Sequence, residues 1–149
     1  MLKILVEKWD ENKDQLKKQL ETRTDLNSCN YKDLVKMTFD VILNSDEYTK
    51  IVTENIVEID HGDYQGTLLY MIPFDRYQPS ENDYLITYVS YGSCSGCDTL
   101  QQIQEYGEEL LTETQVKDFM VLCKDLICNT RRLYNEGWRY NPDFDDISY

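Results

Sequence analysis

The chain has 149 residues, 41% of them hydrophobic and 12% aromatic, and carries 28 acidic against 15 basic side chains for a net charge of −13. That apolar share suits one folded domain with its own core and speaks against a disordered polymer. The charge speaks against direct binding to nucleic-acid phosphates, because the net field repels a polyanion; basic proteins, or basic clefts that normally hold nucleic acid, are the natural partners.

The first segment reads as a helix, with Leu2, Leu5, Val6, Trp9, Leu16 and Leu20 near one stripe and charged residues on the other faces. A polar break rich in capping residues follows, and a second helix is expected from Tyr31 to Leu43. Leu34, Val35, Thr38, Phe39 and Ile42 form its apolar side, and Asn30 is its N-cap. The period then changes. Ile51–Asp60, Tyr64–Ile72 and Tyr84–Tyr91 are rich in β-branched and aromatic residues with turn residues between them, which predicts three strands in an antiparallel meander. Gly62 marks the first hairpin, and Pro73 and Pro79 lie in the longer second connection. The middle strand is apolar on both faces, as a central strand should be.

A short helix is expected from Asp98 to Tyr106 and a long one from Glu113 to Tyr134, where Val116, Phe119, Met120, Cys123, Leu126 and Ile127 make a stripe at helical spacing. Residues 141–149 read as a flexible acidic tail. The expected architecture is therefore a single α+β domain over residues 1–149, a three-stranded antiparallel meander with two helices before it and two after. The N-terminal segment meets charge too early for a signal peptide, and no apolar run approaches the ~20 residues that span a bilayer. A cytoplasmic location with reduced cysteines is expected.

The five cysteines are Cys29, Cys94, Cys97, Cys123 and Cys128. Cys94 and Cys97 lie between a predicted strand and a predicted helix, the local setting of a thiol redox motif. Thioredoxin-like topology needs further strands after such a motif, yet only helices are expected there, and Asp98 beside Cys97 opposes thiolate formation. Zinc requires about four ligands, of which this pair supplies two. Cys123 and Cys128 stand about 140° apart around a helix and do not converge on one ion. His61, the only histidine, reads as a turn residue. The pair is thus expected to be a structural corner: Gly92 and Gly96 permit the bend, Ser93, Ser95 and Asp98 cap amides, and the cysteines pack beneath. A thiol redox or zinc-binding module on Cys94 and Cys97 is the alternative. No catalytic residue, metal or cofactor is assigned, since a lone histidine disfavours a hydrolase triad and no phosphate-binding glycine pattern occurs.

Acid is concentrated in the middle of the chain, where residues 40–100 hold 11 acidic and 2 basic side chains. Strand alternation predicts Glu54, Glu58 and Asp60 on one face of the first strand and Thr53, Asn55, Val57 and Ile59 on the other. Asp63, Asp75, Glu81 and Asp83 fall in adjoining turns. Acidic side chains also protect strand edges from unwanted pairing. The functional expectation is an anionic surface that enters a basic groove, with Tyr64, Tyr77, Tyr84 and Tyr88 as contact anchors. Its partner-binding residues are Glu54, Glu58, Asp60, Asp63, Tyr64, Glu81, Asp83 and Tyr84.

Three segments, "GDYQGT" (62–67), "YQPS" (77–80) and "YGSCSGCDTLQ" (91–101), resemble in this order a group of small, largely uncharacterised proteins of bacteriophages and prophages. The resemblance covers the middle third of the chain and brings no activity, cofactor or site residue with it. It implies a virus-encoded accessory protein. By analogy with that class, the expected partner is a basic host protein such as a CRISPR effector or a restriction enzyme, and the expected role is inhibition without catalysis.

Overall fold

The computed structural model describes residues 2–44, 47–63, 65–80, 83–94, 96–106, 109–134 and 147–148. Helix α1 (Leu2–Thr22) and helix α2 (Tyr31–Leu43) form where the apolar stripes predict them. Leu5, Trp9, Leu16 and Leu20 of α1 are buried, whereas Val6 is exposed. One polar residue shares the stripe. Asn12 is buried, and its side-chain amide donates to the Ile42 carbonyl at 3.1 Å, tying α1 to the end of α2. At the start of α2, Asn30 accepts from the Asp33 amide at 2.8 Å while the Asp33 carboxylate accepts from the Asn30 amide at 3.1 Å. This reciprocal cap satisfies donors that a helix start leaves without partners.

The first predicted strand is shorter than expected. Ile51 only bridges to Phe74, Thr53–Asn55 form a 3₁₀ turn, and strand β1 runs from Val57 to Gly62. The turn wins because its polar groups find partners, one on α2 and one within the turn itself. The Thr53 hydroxyl reaches Asp40 at 2.8 Å, and the Asn55 amide donates to the Val52 carbonyl. Strands β2 (Gly66–Pro73) and β3 (Tyr84–Tyr91) follow, each antiparallel to its predecessor. At the first hairpin Gly62 and Gly66 face each other so closely that a Cβ on either would collide with backbone of the opposite strand.

Helix α3 covers only Thr99–Ile103, and helix α4 (Glu113–Cys128) stops six residues before the predicted end at Tyr134. Asn129 caps α4, and the buried Thr130 hydroxyl turns back to the Leu126 carbonyl at 2.7 Å, which also accepts from Thr87 at 2.7 Å. Those bonds redirect the chain onto the free edge of β3. There Arg131–Tyr134 form strand β4, antiparallel to β3, with Ile147–Ser148 as a parallel β5 beside it. The α+β class and the antiparallel pairing of three successive strands stand. The meander, however, continues into a sheet of order β1-β2-β3-β4-β5, so the expectation that only helices follow the third strand is corrected. The expected acidic tail falls mostly on residues 141–146 and 149, outside the described residues.

The helices cover one face of the sheet. Tyr70, Ile72 and Leu85 from that face join Leu34, Phe39 and Ile42 of α2 and Phe119, Leu126 and Ile127 of α4 in one core. The opposite face carries Leu69, Met71 and Ile86 at partial burial, with Val57, Ile59 and Tyr88 exposed. Among the described residues no helix is long and apolar enough to cross a membrane.

Candidate functional site

The register of the first hairpin decides where the acid goes. Pairing Gly62 with Gly66 puts Glu58 opposite Tyr70 and Asp60 opposite Leu68. Residues opposite one another share a face. Glu58 and Asp60 therefore lie on the helix side of the sheet, and Val57 and Ile59 lie on the open side. Because β1 is an edge strand, all six of its residues remain exposed.

Both carboxylates are held by tyrosines. The hydroxyl of the fully buried Tyr70 donates to Glu58 Oε2 at 2.9 Å. Tyr91 stands beside Gly66, which has no side chain to block it, and its hydroxyl crosses β2 to Asp60 Oδ1 at 2.6 Å. Burial, and then the bond to Glu58, raise the Tyr70 phenol well above its ordinary value. The bond to Asp60 raises Tyr91 to about 12. At neutral pH both phenols are donors, and the second oxygen of each carboxylate makes no hydrogen bond among the described residues.

These carboxylates rim a cleft of about 380 Å³ between β1, the start of α2 and the corner leading into α3. Tyr31, Leu68 and Leu100 give it apolar surface, and Gln101 and Gln104 supply amides. Its third carboxylate, Asp98, is buried and fully engaged. Asp98 accepts from the Tyr31 hydroxyl at 2.9 Å, the Gly92 amide at 2.9 Å and the Gln101 amide at 3.0 Å, and so caps α3. Burial pushes Tyr31 above its ordinary phenol value, offset in part by the Leu100 amide it accepts, with the Asp98 bond adding to the rise. Cys29, on the same wall, is raised to about 11 by burial and then by Asp33 and Asp25, and is a neutral thiol at pH 7. No lysine, arginine or histidine is among the described residues that line the cleft.

The other expected partner-binding residues are dispersed. Glu54 sits in the 3₁₀ turn rather than on β1, and Asp63 is exposed at the hairpin. Asp83 is a turn residue at the far end of β3, where its carboxylate accepts from the Ser80 amide at 2.9 Å and hydroxyl at 3.1 Å. Tyr84 starts β3 on the face away from the helices, opposite Pro73. Tyr64 and Glu81 lie outside the described residues. Eight-residue strands span about 25 Å, so Asp83 and Tyr84 stand a strand's length from the hairpin. Among the described members of the expected set, only Glu58 and Asp60 are brought together around a concave surface.

The tyrosines that hold them, and Asp98, were not among the expected binding residues. The signal was present, since closing the hairpin on Gly62 and Gly66 determines which residue faces Glu58. At the corner, Asp98 caps an amide as expected, and Gly92 is required because a Cβ there would collide with the Cys97 carbonyl. Cys94 and Cys97 do not pack beneath; both are exposed. Among the described residues no group of three or more His, Cys, Asp or Glu side chains is arranged to hold a metal ion. Comparison of the chain with protein-family models, curated proteins and solved structures finds no match.

Proposed function

We propose that this chain is a non-catalytic binding protein of phage type that acts in the host cytosol by occupying a basic site on a host protein. Its contact is a lysine or arginine side chain of that partner, received in the cleft by Glu58 and Asp60. One observation carries the reading: two carboxylates, each fixed through one oxygen by a tyrosine hydroxyl, line a concave surface with no basic residue among its described lining. Fixing the acceptors beforehand lowers the entropy lost on binding. The cleft's partial apolar lining suits the methylene stem of a long cationic side chain. The net charge of −13 adds long-range attraction to any basic partner. Nucleic acid that normally occupies the partner's site competes for it, since both present negative charge.

The test is affinity capture from bacterial lysate with the wild-type chain and with Glu58→Gln/Asp60→Asn. Both substitutions keep an oxygen for the tyrosine hydroxyl and remove the charge. The reading expects basic proteins to be retained by the wild type, released by added nucleic acid, and absent from the variant. Equal capture by both chains contradicts it.

A further inference from the structure

The corner between β3 and α3 holds a second chemical site that the cleft does not use. Cys94 Sγ and Cys97 Sγ are 3.2 Å apart, both exposed, and the Cys97 amide donates to the Cys94 carbonyl at 3.0 Å, closing the turn between them. Ser93 Oγ lies 3.9 Å from Cys97 Sγ. The sulfurs already touch, so the pair is within reach of a bond.

We infer that Cys94 and Cys97 form a reversible thiol–disulfide site that takes low-molecular-weight disulfides as its reactant, the oxidised pair stapling the corner that carries Tyr91, Gly92 and Asp98 to the cleft. The Cys97 thiolate attacks one sulfur of R–S–S–R, forming a mixed disulfide and expelling one RS⁻. The Cys94 thiolate then attacks Cys97 Sγ, forming the internal bond and expelling the second RS⁻. Both cysteine protons end on the leaving thiolates, so the pair is oxidised as the small disulfide is reduced to two thiols.

The order of attack follows from the surroundings. Cys97 is held below the ordinary thiol value, first by the hydrogen bond with the Cys94 side chain, then by that with the Cys94 backbone, with Ser93 adding to the effect. A larger thiolate fraction favours the first attack at neutral pH. The negative charge of neighbouring Asp98 is offset in part by the three donors that its carboxylate accepts from, the Tyr31 hydroxyl and the Gly92 and Gln101 amides. The other cysteines behave differently. Cys29 and Cys123 are buried, and Cys128 is exposed without a second thiol beside it among the described residues.

The test equilibrates the full chain in glutathione buffers of increasing oxidised fraction, quenches with acid and an alkylating reagent, and maps the peptides by mass. The wild type is expected to lose two hydrogens with a Cys94–Cys97 cross-link, while Cys128 alone keeps a glutathione adduct. In Cys94→Ser the adduct is expected to persist on Cys97, forming several-fold faster than the adduct on Cys94 in Cys97→Ser. A persistent adduct on Cys94 or Cys97 of the wild type, or free thiols at both in excess oxidised glutathione, overturns the site. Equal adduct rates in the two variants overturn the order of attack.

Discussion

Replacing Asp98 by alanine removes the acceptor that three separate elements share. Its carboxylate takes the Gly92 amide at the end of β3, the Gln101 amide in α3 and the Tyr31 hydroxyl at the start of α2. Loss of the helix cap costs about 1 kcal/mol. The Gly92 amide and the Tyr31 hydroxyl then stay buried without their charged partner, at about 1.5 kcal/mol each taken at the low end. The sum is about 4 kcal/mol, which for a chain of this size lowers the melting temperature by about 10 °C. Asp98→Asn keeps the shape and one oxygen for Tyr31 and Gln101 but turns its NH₂ to the Gly92 amide, so about half the loss is expected. Urea denaturation followed by circular dichroism gives the midpoint and slope for each variant. A loss below about 1 kcal/mol for Asp98→Ala, or wild-type stability for Asp98→Asn, would refute this account of the corner.

Gly92→Ala is expected to destabilise by about 1–3 kcal/mol, since the new Cβ collides with the Cys97 carbonyl in a close-packed corner; an unchanged urea midpoint contradicts this. Cys123, fully buried, is raised from 9.0 to about 12 by that burial, and Tyr91 from 10.0 to about 12 by Asp60. Groups raised on folding contribute stability below their unfolded values and lose it as pH climbs through the folded ones, so the urea midpoint should hold to about pH 9 and fall between 9 and 12; equal midpoints at pH 8 and 11.5 contradict it. Glu54→Lys with Asp63→Lys, both away from the cleft lining, is expected to weaken capture of a basic partner less than Glu58→Lys with Asp60→Lys, by about tenfold in affinity at moderate salt.

The helices were legible because their signals are local. The stripe of α2, its Asn30 cap and the apolar stripe of α4 lie within one or two turns of the residues they organise. The end of α4 was not, because Arg131–Tyr134 make a strand only by meeting the edge of β3, a partner some 45 residues earlier in the chain. Glu54 was misplaced for a similar reason: Thr53 bonds to Asp40 and bends the chain into a turn. In β1 the alternation of acid with Val57 and Ile59 was visible, but alternation alone does not say which face meets the helices. The hairpin register decides it: Tyr70 of β2 and Tyr91 of β3 donate to Glu58 and Asp60 on the helix side, at an edge where both faces reach water.

The central claim, that Glu58 and Asp60 together receive a cationic side chain, is tested most directly by titrating the chain with a short arginine-rich peptide in a calorimeter at low and physiological salt. Two carboxylate contacts at up to about 1 kcal/mol each give a difference near 2 kcal/mol, or about thirtyfold in affinity. The account predicts that Glu58→Gln/Asp60→Asn loses about this factor at low salt while Glu54→Gln/Asp63→Asn, with the same change in net charge, loses only a few-fold. Equal losses for the two pairs would contradict it and leave net charge, not the cleft, as the source of binding.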